Sequence, residues 1–269
     1  MERAAVDGTE LDYELRGSGE PVVLIHWGVS ATWAEPLLEQ SALADHYSLL
    51  NYHRAGFGGS SPVGAPISLA DHAEQCRLLM RALGIDRAHI VGHSSSAAIA
   101  LQLALDDPQA VRTLALLEPA RPAPDTEVQA AFRRDFAGPA IERYQAGDRA
   151  GAVDIWATGV FGPGYREVME KGLPGAIEQC LADADTFFRH ELPAVQQWSF
   201  TQDDARRIEH PALIVVGEDS PRTFPERRDL LLSWLPNARS LDLPATTHLL
   251  HLQNPRGVAE GVAAFYADA

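Results

Sequence analysis

The sequence predicts an α/β fold, built on a mostly parallel eight-stranded sheet with helices on both faces and an inserted helical segment. Two observations lead to this class. Short apolar runs alternate with helical stretches along most of the 269 residues, a pattern typical of parallel sheets covered on both faces. The alternation stops once, because no strand-like run occurs between Pro119 and Ala205, where the pattern is helical.

The first two of the eight strands are predicted as a hairpin. The runs Glu2 to Val6 and Glu10 to Arg16 flank Asp7-Gly8, a residue pair that favours a tight turn. Six further strands are predicted at 22–25, 48–52, 89–91, 111–117, 213–216 and 240–243. Helical stretches lie between most of them, at 33–44, 69–83, 95–105, 225–234 and 256–266.

The strandless interval divides the chain into two parts. Helices are predicted within it at 130–136, 140–145, 150–160 and 174–188. We therefore expect residues 1–118 and 206–269 to form the core, and residues 119–205 to form a helical insertion.

Composition and charge restrict the partners of the protein. Hydrophobic residues make up 46% of the chain, enough to bury a full core, and no run approaches the roughly 20 apolar residues of a membrane span. The N-terminal residues lack an apolar signal core, so we expect a cytoplasmic protein, as a monomer or homodimer. The net charge of −15 repels nucleic acid and anionic membranes, and we expect neither as a partner.

The two cysteines carry little functional information. Cys76 and Cys180 lie far apart in helical-looking stretches, without Cys-x-x-Cys or Cys/His spacing. This pattern favours two buried thiols over a disulfide, and it indicates neither a metal site nor a cofactor.

The most informative segment is Ile90-Val91-Gly92-His93-Ser94-Ser95-Ser96, which follows an apolar run and precedes an Ala-rich helical stretch. It predicts a strand, a sharp turn and a helix with Ser94 at the apex. A serine needs such an exposed position, next to a base and a helix N-terminus, to act as a nucleophile. The alternative interpretation is a Ser-rich helix start in which Ser95 or Ser96 only caps the helix.

Three further motifs follow the order expected around such a nucleophile. His26-Trp27-Gly28 comes after the third predicted strand, and Asn51-Tyr52-His53-Arg54-Ala55-Gly56-Phe57-Gly58-Gly59-Ser60 comes after the fourth. Thr246-Thr247-His248-Leu249-Leu250-His251-Leu252 follows the last strand. Together these segments resemble the H-G-x turn, the D-x-R-G-x-G-x-S loop, the G-x-S-x-G elbow and the histidine loop of the α/β-hydrolase superfamily, over almost the whole chain.

The resemblance implies a serine hydrolase of the esterase or lactonase kind, with a helical lid at 119–205 and without a cofactor. Ser94 would be the nucleophile and His248 the base. The amides of Ser95 and of the His26-Trp27-Gly28 turn would form the oxyanion hole. We favour Gly28 over Trp27 as the second donor, because the family's donor usually lies two residues after the histidine.

Two carboxylates compete for the third position of the triad. The family usually places an aspartate three residues after the glycine that ends the strand beyond the lid, but here that position is Ser220, and Asp219 comes one residue early. A minority of the superfamily carries the acid about two dozen residues after the nucleophile. Glu118 lies 24 positions after Ser94. We predict Glu118 as the acid and keep Asp219 as the alternative.

Other histidines are weaker candidates for acid or base. His251 lies three residues after His248, but no Asp or Glu lies in that stretch to suggest a metal pair, so we expect a packing residue. His26 and His93 neighbour the predicted oxyanion turn and the nucleophile. We expect them to orient the backbone, with His93 also contacting substrate.

The nucleophile and the insertion together indicate the substrate. Dehalogenases and epoxide hydrolases of this fold use aspartate at the elbow, so Ser94 favours acyl transfer to water. The candidate substrate-binding residues are Trp27, His93, Trp156, Phe161, Phe187, Phe188 and Trp198, with Tyr165 as a further aromatic, although aromatics in lid helices also pack on a core. We expect a small, neutral, hydrophobic carbonyl compound. A cofactor-free cyclase, lyase or perhydrolase and a ligand-binding receptor remain as alternatives on the same scaffold.

Overall fold

The fold is described from a computed structural model that covers residues 1–122 and 126–269; residues 123–125, part of the predicted insertion, lie outside the description. The strands are β1 Glu2–Val6, β2 Thr9–Gly17, β3 Glu20–Ile25, β4 Tyr47–Tyr52, β5 Ala88–His93, β6 Val111–Leu117, β7 Ala212–Gly217 and β8 Ala238–Leu243. They form one sheet in the order β1-β2-β4-β3-β5-β6-β7-β8. The strand β2 is antiparallel to both of its neighbours, and all other neighbours are parallel. The predicted fold class is confirmed.

Alternate residues of each central strand belong to two separate apolar layers, because side chains of a strand point to opposite faces. In β3, Val23 and Ile25 pack into one layer, whereas Val22 and Leu24 pack into the other. The first layer is completed by the helices Leu69–Ala82, Ser95–Asp106 and Thr223–Trp234, and the second by Pro255–Ala267 and by helices between β6 and β7. Both faces of the sheet are therefore covered.

The helices of the core fall between or after the strands. Two 3-10 helices cover Ala31–Ala34 and Pro108–Ala110, and the α-helices are Glu35–Leu38, Ser41–Ala44, Leu69–Ala82, Ser95–Asp106, Thr223–Trp234, Leu250–Gln253 and Pro255–Ala267. Between β6 and β7 the α-helices are Glu127–Phe132, Gly138–Gln145, Arg149–Phe161, Tyr165–Gly172, Ala176–Ala182, Ala184–Thr186, Leu192–Gln197 and Gln202–Arg206, with π-helical turns at Arg133–Ala137 and Phe187–Glu191. No strand lies between β6 and β7 in the described residues.

Two predicted helices are interrupted in the structure. The stretch predicted as one helix at 33–44 consists of three short pieces, because Gln40 is extended and its side-chain amide donates to the carbonyl of Pro36 at 2.8 Å. The helix predicted at 174–188 breaks near Asp183. The carboxylate of Asp183 accepts the amides of Ala31 at 3.1 Å and Gly58 at 3.2 Å, which ties the segment between β6 and β7 to the core.

Candidate active site

A strained serine lies where β5 ends and the helix Ser95–Asp106 begins. Ser94 has a φ of 57° and a ψ of −118°, angles that cost free energy for a residue with a Cβ. Its amide donates to the carbonyl of Leu117 at 2.9 Å, and its carbonyl accepts from the amide of Ala120 at 3.0 Å. These bonds to the end of β6 hold the turn in a conformation that places Ser94 in a cavity wall.

Small residues on either side of Ser94 let the strand and the helix approach closely. A Cβ on Gly92 would lie 2.5 Å from the carbonyl oxygen of Ser96, so only glycine fits there. Ser96 occupies the position where the resembling motif has its second glycine. Its hydroxyl accepts from the amide of His93 at 2.8 Å and donates to the carbonyl of Ile25 at 2.6 Å. The serine at this position therefore joins the turn to β3.

The structure brings Glu118 and His248 together across the ends of the sheet. Glu118 directly follows β6, His248 lies in the loop after β8, and both side chains are fully buried. The Oε2 atom of Glu118 lies 2.7 Å from Nδ1 of His248. The other carboxylate oxygen of Glu118 accepts the amide of Gly217 at 2.7 Å and the hydroxyl of Ser220. All these contacts hold the carboxylate in one orientation toward the imidazole.

Asp219, the alternative acid, lies outside this cluster. Its side chain is exposed, and its amide donates to the carbonyl of Thr246 at 2.9 Å. Asp219 lies in the turn two residues beyond the end of β7, and Nδ1 of His248 contacts Glu118 instead. Ser220, the residue at the family's usual acid position, points inward and donates to Glu118 instead. Ser220 thus provides a hydroxyl at the position where the family that the sequence resembles usually has its carboxylate.

Burial favours the uncharged forms of both partners. It raises the pKa of Glu118 to about 7, although hydrogen bonds from Ser220 and Gly217 stabilise the charged carboxylate. Burial, together with the nearby charge of Arg227, holds the pKa of His248 well below its ordinary value. The imidazole is therefore neutral at neutral pH, which is the form that accepts a proton.

The second imidazole nitrogen is left available. Nε2 of His248 is buried and has no hydrogen-bond partner among the described residues, and His248 lines the same cavity as Ser94. The ring is held between aromatic neighbours: Phe224 stacks on it with centroids 4.2 Å apart, and Phe161 lies 5.7 Å away at an interplanar angle of 15°. Packing thus fixes the orientation of the imidazole, and the Glu118 contact makes Nδ1 the protonated nitrogen.

The turn after β3 orients a backbone amide by holding the carbonyl that precedes it. The carbonyl oxygen of Trp27 accepts from Nδ1 of His26 at 2.6 Å and from the guanidinium of Arg54 at 3.1 Å. His26 is in turn fixed, because its Nε2 accepts the amide of Arg54 at 3.0 Å. In a trans peptide the N–H points opposite to the C=O, so these bonds direct the Gly28 amide away from Arg54.

Two amides of the predicted oxyanion hole lie in the cavity wall. Gly28 and Ser95 both line the cavity with Ser94, and no acceptor among the described residues takes either amide. The Ser95 amide also stands at the first turn of the helix Ser95–Asp106, where the helix dipole favours negative charge. Trp27 lines the cavity with its ring, which stacks between His93 and Phe161 with centroids 5.1 and 5.0 Å away.

Sequence reasoning missed a buried ion pair beneath this turn. Glu191, in the π-helical turn Phe187–Glu191, accepts from both terminal nitrogens of Arg54 at 2.7 and 3.2 Å, and from the hydroxyl of Ser95 at 2.5 Å. A Cβ on Gly28 would lie 2.7 Å from Cγ of Glu191. Arg54 was part of a recognised motif, but its partner is 137 positions away and no local pattern marks it.

The cavity has a volume of about 590 Å³ and is walled mainly by apolar residues from both parts of the chain. Of the predicted substrate-binding residues, Trp27, Trp156, Phe161 and Phe187 lie in its wall.

Four other predicted contacts need correction, because these side chains pack elsewhere. His93 lies behind the ring of Trp27, Phe188 stacks on Tyr144 at 4.8 Å, and the hydroxyl of Tyr165 donates to Asp154 at 2.8 Å. Trp198 stacks on Phe200 at 5.3 Å, and its indole N–H donates to Gln102 at 2.7 Å. Aromatic content alone does not distinguish these packing residues from cavity residues.

The described residues contain no group of three or more His, Cys, Asp or Glu side chains arranged to hold a metal ion. His251 is buried against Trp27, Trp33 and His93, with ring centroids 5.0 to 5.5 Å apart. Cys76 and Cys180 are buried free thiols, as predicted. In the described part of the chain, no helix has the length and apolar character required to cross a bilayer.

The fold and this arrangement of serine, histidine and glutamate define a class of protein, and comparison with known sequences identifies it. The model of the alpha/beta hydrolase family matches residues 22–261. The chain therefore belongs to the alpha/beta hydrolase family.

Curated relatives match over shorter stretches. The dihydrolipoyllysine-residue acetyltransferase component of the acetoin cleaving system from Cupriavidus necator is 38% identical over 116 residues, which are 43% of this chain and 31% of that protein. Fluoroacetate dehalogenase from Burkholderia sp. is 37% identical over 129 residues, which are 44% of this chain and 41% of that protein. The chain thus matches less than half the length of either relative.

A solved esterase from Thermogutta terrifontis is similar over the whole chain. The two structures superpose with a TM-score of 0.83, covering 100% of this chain and 99% of the esterase, at 20% sequence identity. At this identity the likeness concerns the fold.

Proposed function

We propose that the protein is a serine hydrolase that cleaves an ester or lactone of a small substrate, with Ser94, His248 and Glu118 as its catalytic triad. The observation that carries the proposal is the 2.7 Å contact between Glu118 and Nδ1 of His248, with Ser94 on a strained turn in the same cavity. A serine nucleophile separates this site from the aspartate elbow of dehalogenases. The oriented Gly28 and Ser95 amides separate it from a passive binding cavity.

In the first step the hydroxyl oxygen of Ser94 attacks the substrate carbonyl while Nε2 of His248 takes its proton. The Glu118 carboxylate accepts the Nδ1–H and stabilises the imidazolium that forms. The oxyanion receives hydrogen bonds from the amides of Gly28 and Ser95, each worth about 3 kcal/mol in the transition state. The tetrahedral intermediate then collapses, and the leaving alkoxide takes the proton from Nε2.

The second step reverses the roles. Water attacks the acyl-serine ester and gives its proton to Nε2 of His248; collapse of the intermediate returns that proton to Ser94 and releases the acid. A lactone follows the same path, except that the alcohol remains attached to the product.

We further propose that residues 119–205 act as a lid over the nucleophile. Support comes from the cavity wall, to which this segment contributes Phe132, Trp156, Phe161, Phe187 and Leu192. Glu191 and Asp183 anchor the same segment to the core. Closure over an apolar cavity would exclude water and bind the hydrophobic part of the substrate.

The test is covalent labelling with a fluorophosphonate together with turnover of aryl esters and lactones. Wild-type protein should be labelled on Ser94, and Ser94→Ala should lose labelling and about 10³-fold or more of its turnover. Ser233→Ala is a matched control, because Ser233 is an exposed serine whose hydroxyl donates to the carbonyl of Leu230, remote from the cavity wall.

Two results would contradict the proposal. Turnover by Ser94→Ala equal to that of wild type would remove the nucleophile assignment. Saturable binding of esters by wild-type protein with neither labelling nor product release would favour a receptor.

A further inference from the structure

Charged groups interrupt the largely apolar wall of the cavity. Arg121, Arg133 and Arg227 line it together with Gln129 and Thr223. The apolar remainder of the wall includes Trp27, Val128, Ala131, Phe132, Trp156, Val160, Phe161, Leu192 and Phe224. A guanidinium in such surroundings is costly unless an anion compensates its charge.

Arg227 is the most deeply placed of these groups. It is 9% exposed, and one of its terminal nitrogens donates to the side-chain oxygen of Gln129 at 3.1 Å. Gln129 is itself fixed, because its amide nitrogen contacts the hydroxyl of Thr223. The Nε atom of Arg227 is buried and has no hydrogen-bond partner among the described residues. The guanidinium is thus held in place with donor capacity left over.

No carboxylate among the described residues forms an ion pair with Arg227 or Arg121. Glu118 is near enough to act on Arg227 electrostatically, but its oxygens are taken by His248, Gly217 and Ser220. Glu226 pairs with Arg222 at 3.0 Å, and Asp135 in the cavity wall pairs with Arg134 at 2.8 Å. The charges of Arg121 and Arg227 therefore have no carboxylate partner in the described part of the chain, which leaves them to a ligand.

Burial and the charge of Arg121 together lower the pKa of Arg227 to about 10. Burial, with the charge of Arg133, also lowers the pKa of Arg121. A lowered pKa means that the charged form of each guanidinium is destabilised in its surroundings. An anion bound between the two would stabilise that charged form.

Both arginines line the same cavity as Ser94 and His248. Arg121 follows Ala120, whose amide bonds to the carbonyl of Ser94. The guanidinium carbon of Arg227 lies 5.2 Å from the ring centroid of Phe224, and that ring stacks on His248. An anion bound here would sit beside the carbonyl under attack, on the same small molecule.

We propose that the substrate carries a carboxylate, bound by Arg227 and Arg121, in addition to the acyl bond that Ser94 attacks. The proposal rests on the proposed esterase or lactonase function, and it replaces the neutral substrate expected from the sequence with an amphipathic acid. The planar guanidinium matches a carboxylate in two parallel hydrogen bonds, and the apolar wall takes the carbon skeleton between the two groups.

The experiment compares two pairs of esters that differ only in charge. One pair carries the charge on the acyl side: 4-nitrophenyl hydrogen adipate and its methyl-ketone counterpart, 4-nitrophenyl 6-oxoheptanoate. The other carries it on the alcohol side: 4-acetoxybenzoate and 4-acetoxybenzamide. Wild-type protein should prefer the anionic member of at least one pair by about tenfold or more in kcat/KM, because a charge-assisted bond is worth about 1.5–3 kcal/mol.

Variants then show which residues cause the preference for the anionic ester. Arg227→Met should reduce the anionic-to-neutral ratio of kcat/KM about tenfold, and Arg227→Lys should retain part of it. Arg121→Met provides a second, independent loss of charge. Arg222→Met is the matched control: it removes an arginine next to the same helix, but Arg222 is 82% exposed and outside the described cavity wall, so the ratio should not change.

Each outcome separates this inference from the proposed function. Hydrolysis of all four esters by wild-type protein without preference for an anionic member would overturn the carboxylate site while leaving the triad intact. Arg227→Met could also lower kcat/KM equally for anionic and neutral esters and alter the pH profile. That result would overturn the carboxylate site and show that Arg227 acts through the charge of Glu118. No hydrolysis and no labelling of Ser94 would instead defeat the proposed function itself.

Discussion

Two buried glutamates, one in the core and one between β6 and β7, show how a partner's charge determines what a buried carboxylate does. Glu118 and Glu191 are 0% and 1% exposed. Burial raises the pKa of Glu118 to about 7, and the imidazole that it contacts is neutral. Burial acts in the same direction on Glu191, but the Arg54 guanidinium, with His72 and the Ser95 hydroxyl, outweighs it and lowers the pKa.

The difference assigns the two carboxylates different tasks. A carboxylate that is hydrogen-bonded to a neutral histidine can stabilise the positive charge that the imidazole acquires when it takes a proton during a reaction. A carboxylate kept charged by a fixed guanidinium cannot respond, so it acts as a permanent link. We infer that Glu118 supports chemistry, whereas Glu191 fixes the segment between β6 and β7 against the turn that carries Gly28.

The largest effect on turnover is expected when Glu118, the buried glutamate of the core, loses its charge. Glu118→Gln should lower turnover about 10²- to 10⁴-fold, because an amide no longer holds the Nδ1–H tautomer or stabilises the imidazolium. The measurement is kcat with an aryl ester, alongside a thermal melt to check folding. Asp219→Asn is the control and should keep wild-type turnover, since its side chain is exposed. The reverse ranking of the two variants would transfer the triad acid to Asp219.

The second prediction concerns the buried ion pair between Arg54 and Glu191. Glu191→Gln leaves the Arg54 charge uncompensated and should lower the free energy of unfolding by about 3 kcal/mol. Chemical denaturation measures the change, and Glu178→Gln, an exposed site in the same segment, should be neutral. Replacing Arg54 and Glu191 together by methionine should recover part of the loss, because no unpaired charge remains. If Glu191→Gln leaves the free energy of unfolding unchanged, the ion pair does not anchor this segment.

The sequence predicts the sheet better than the helices around it. The central strands are short apolar runs whose alternate residues face two buried layers, so their signal is local. The helix Tyr165–Gly172 was not predicted, because it is short and bears four charged residues. Burial of Tyr165 and Met169 against other parts of the chain stabilises it, and that packing cannot be read locally.

The residues of the candidate site also differ in whether a local sequence pattern marks them. Ser94 and His248 belong to motifs around single turns, and Glu118 has a characteristic spacing from Ser94. Those assignments remain predictions about catalysis, although the three residues follow β5, β6 and β8, whose carboxyl ends lie at one edge of the sheet. Glu191 has no such signal: its function depends on an arginine in a loop far away in sequence, which only the folded chain brings within 2.7 Å.

The smallest effect is expected at Ser220, which adjusts the core glutamate without replacing it. The hydroxyl of Ser220 donates to Glu118 and so stabilises the charged carboxylate. Ser220→Ala should therefore raise the pKa of Glu118 further above its ordinary value. Because the proposed reaction needs the carboxylate, activity should fall as pH decreases through about 7 in wild-type protein, and at a higher pH in the variant.

The measurement is the pH profile of kcat/KM with a neutral ester. We expect the acid limb of Ser220→Ala to move upward by about one pH unit, the equivalent of about 1.4 kcal/mol from one lost hydrogen bond, with little change on the alkaline plateau. Ser220→Thr keeps a hydroxyl and should keep the wild-type profile. An acid limb that stays in place or moves downward would show that Ser220 does not stabilise the charged form of Glu118, and that the Gly217 amide alone suffices.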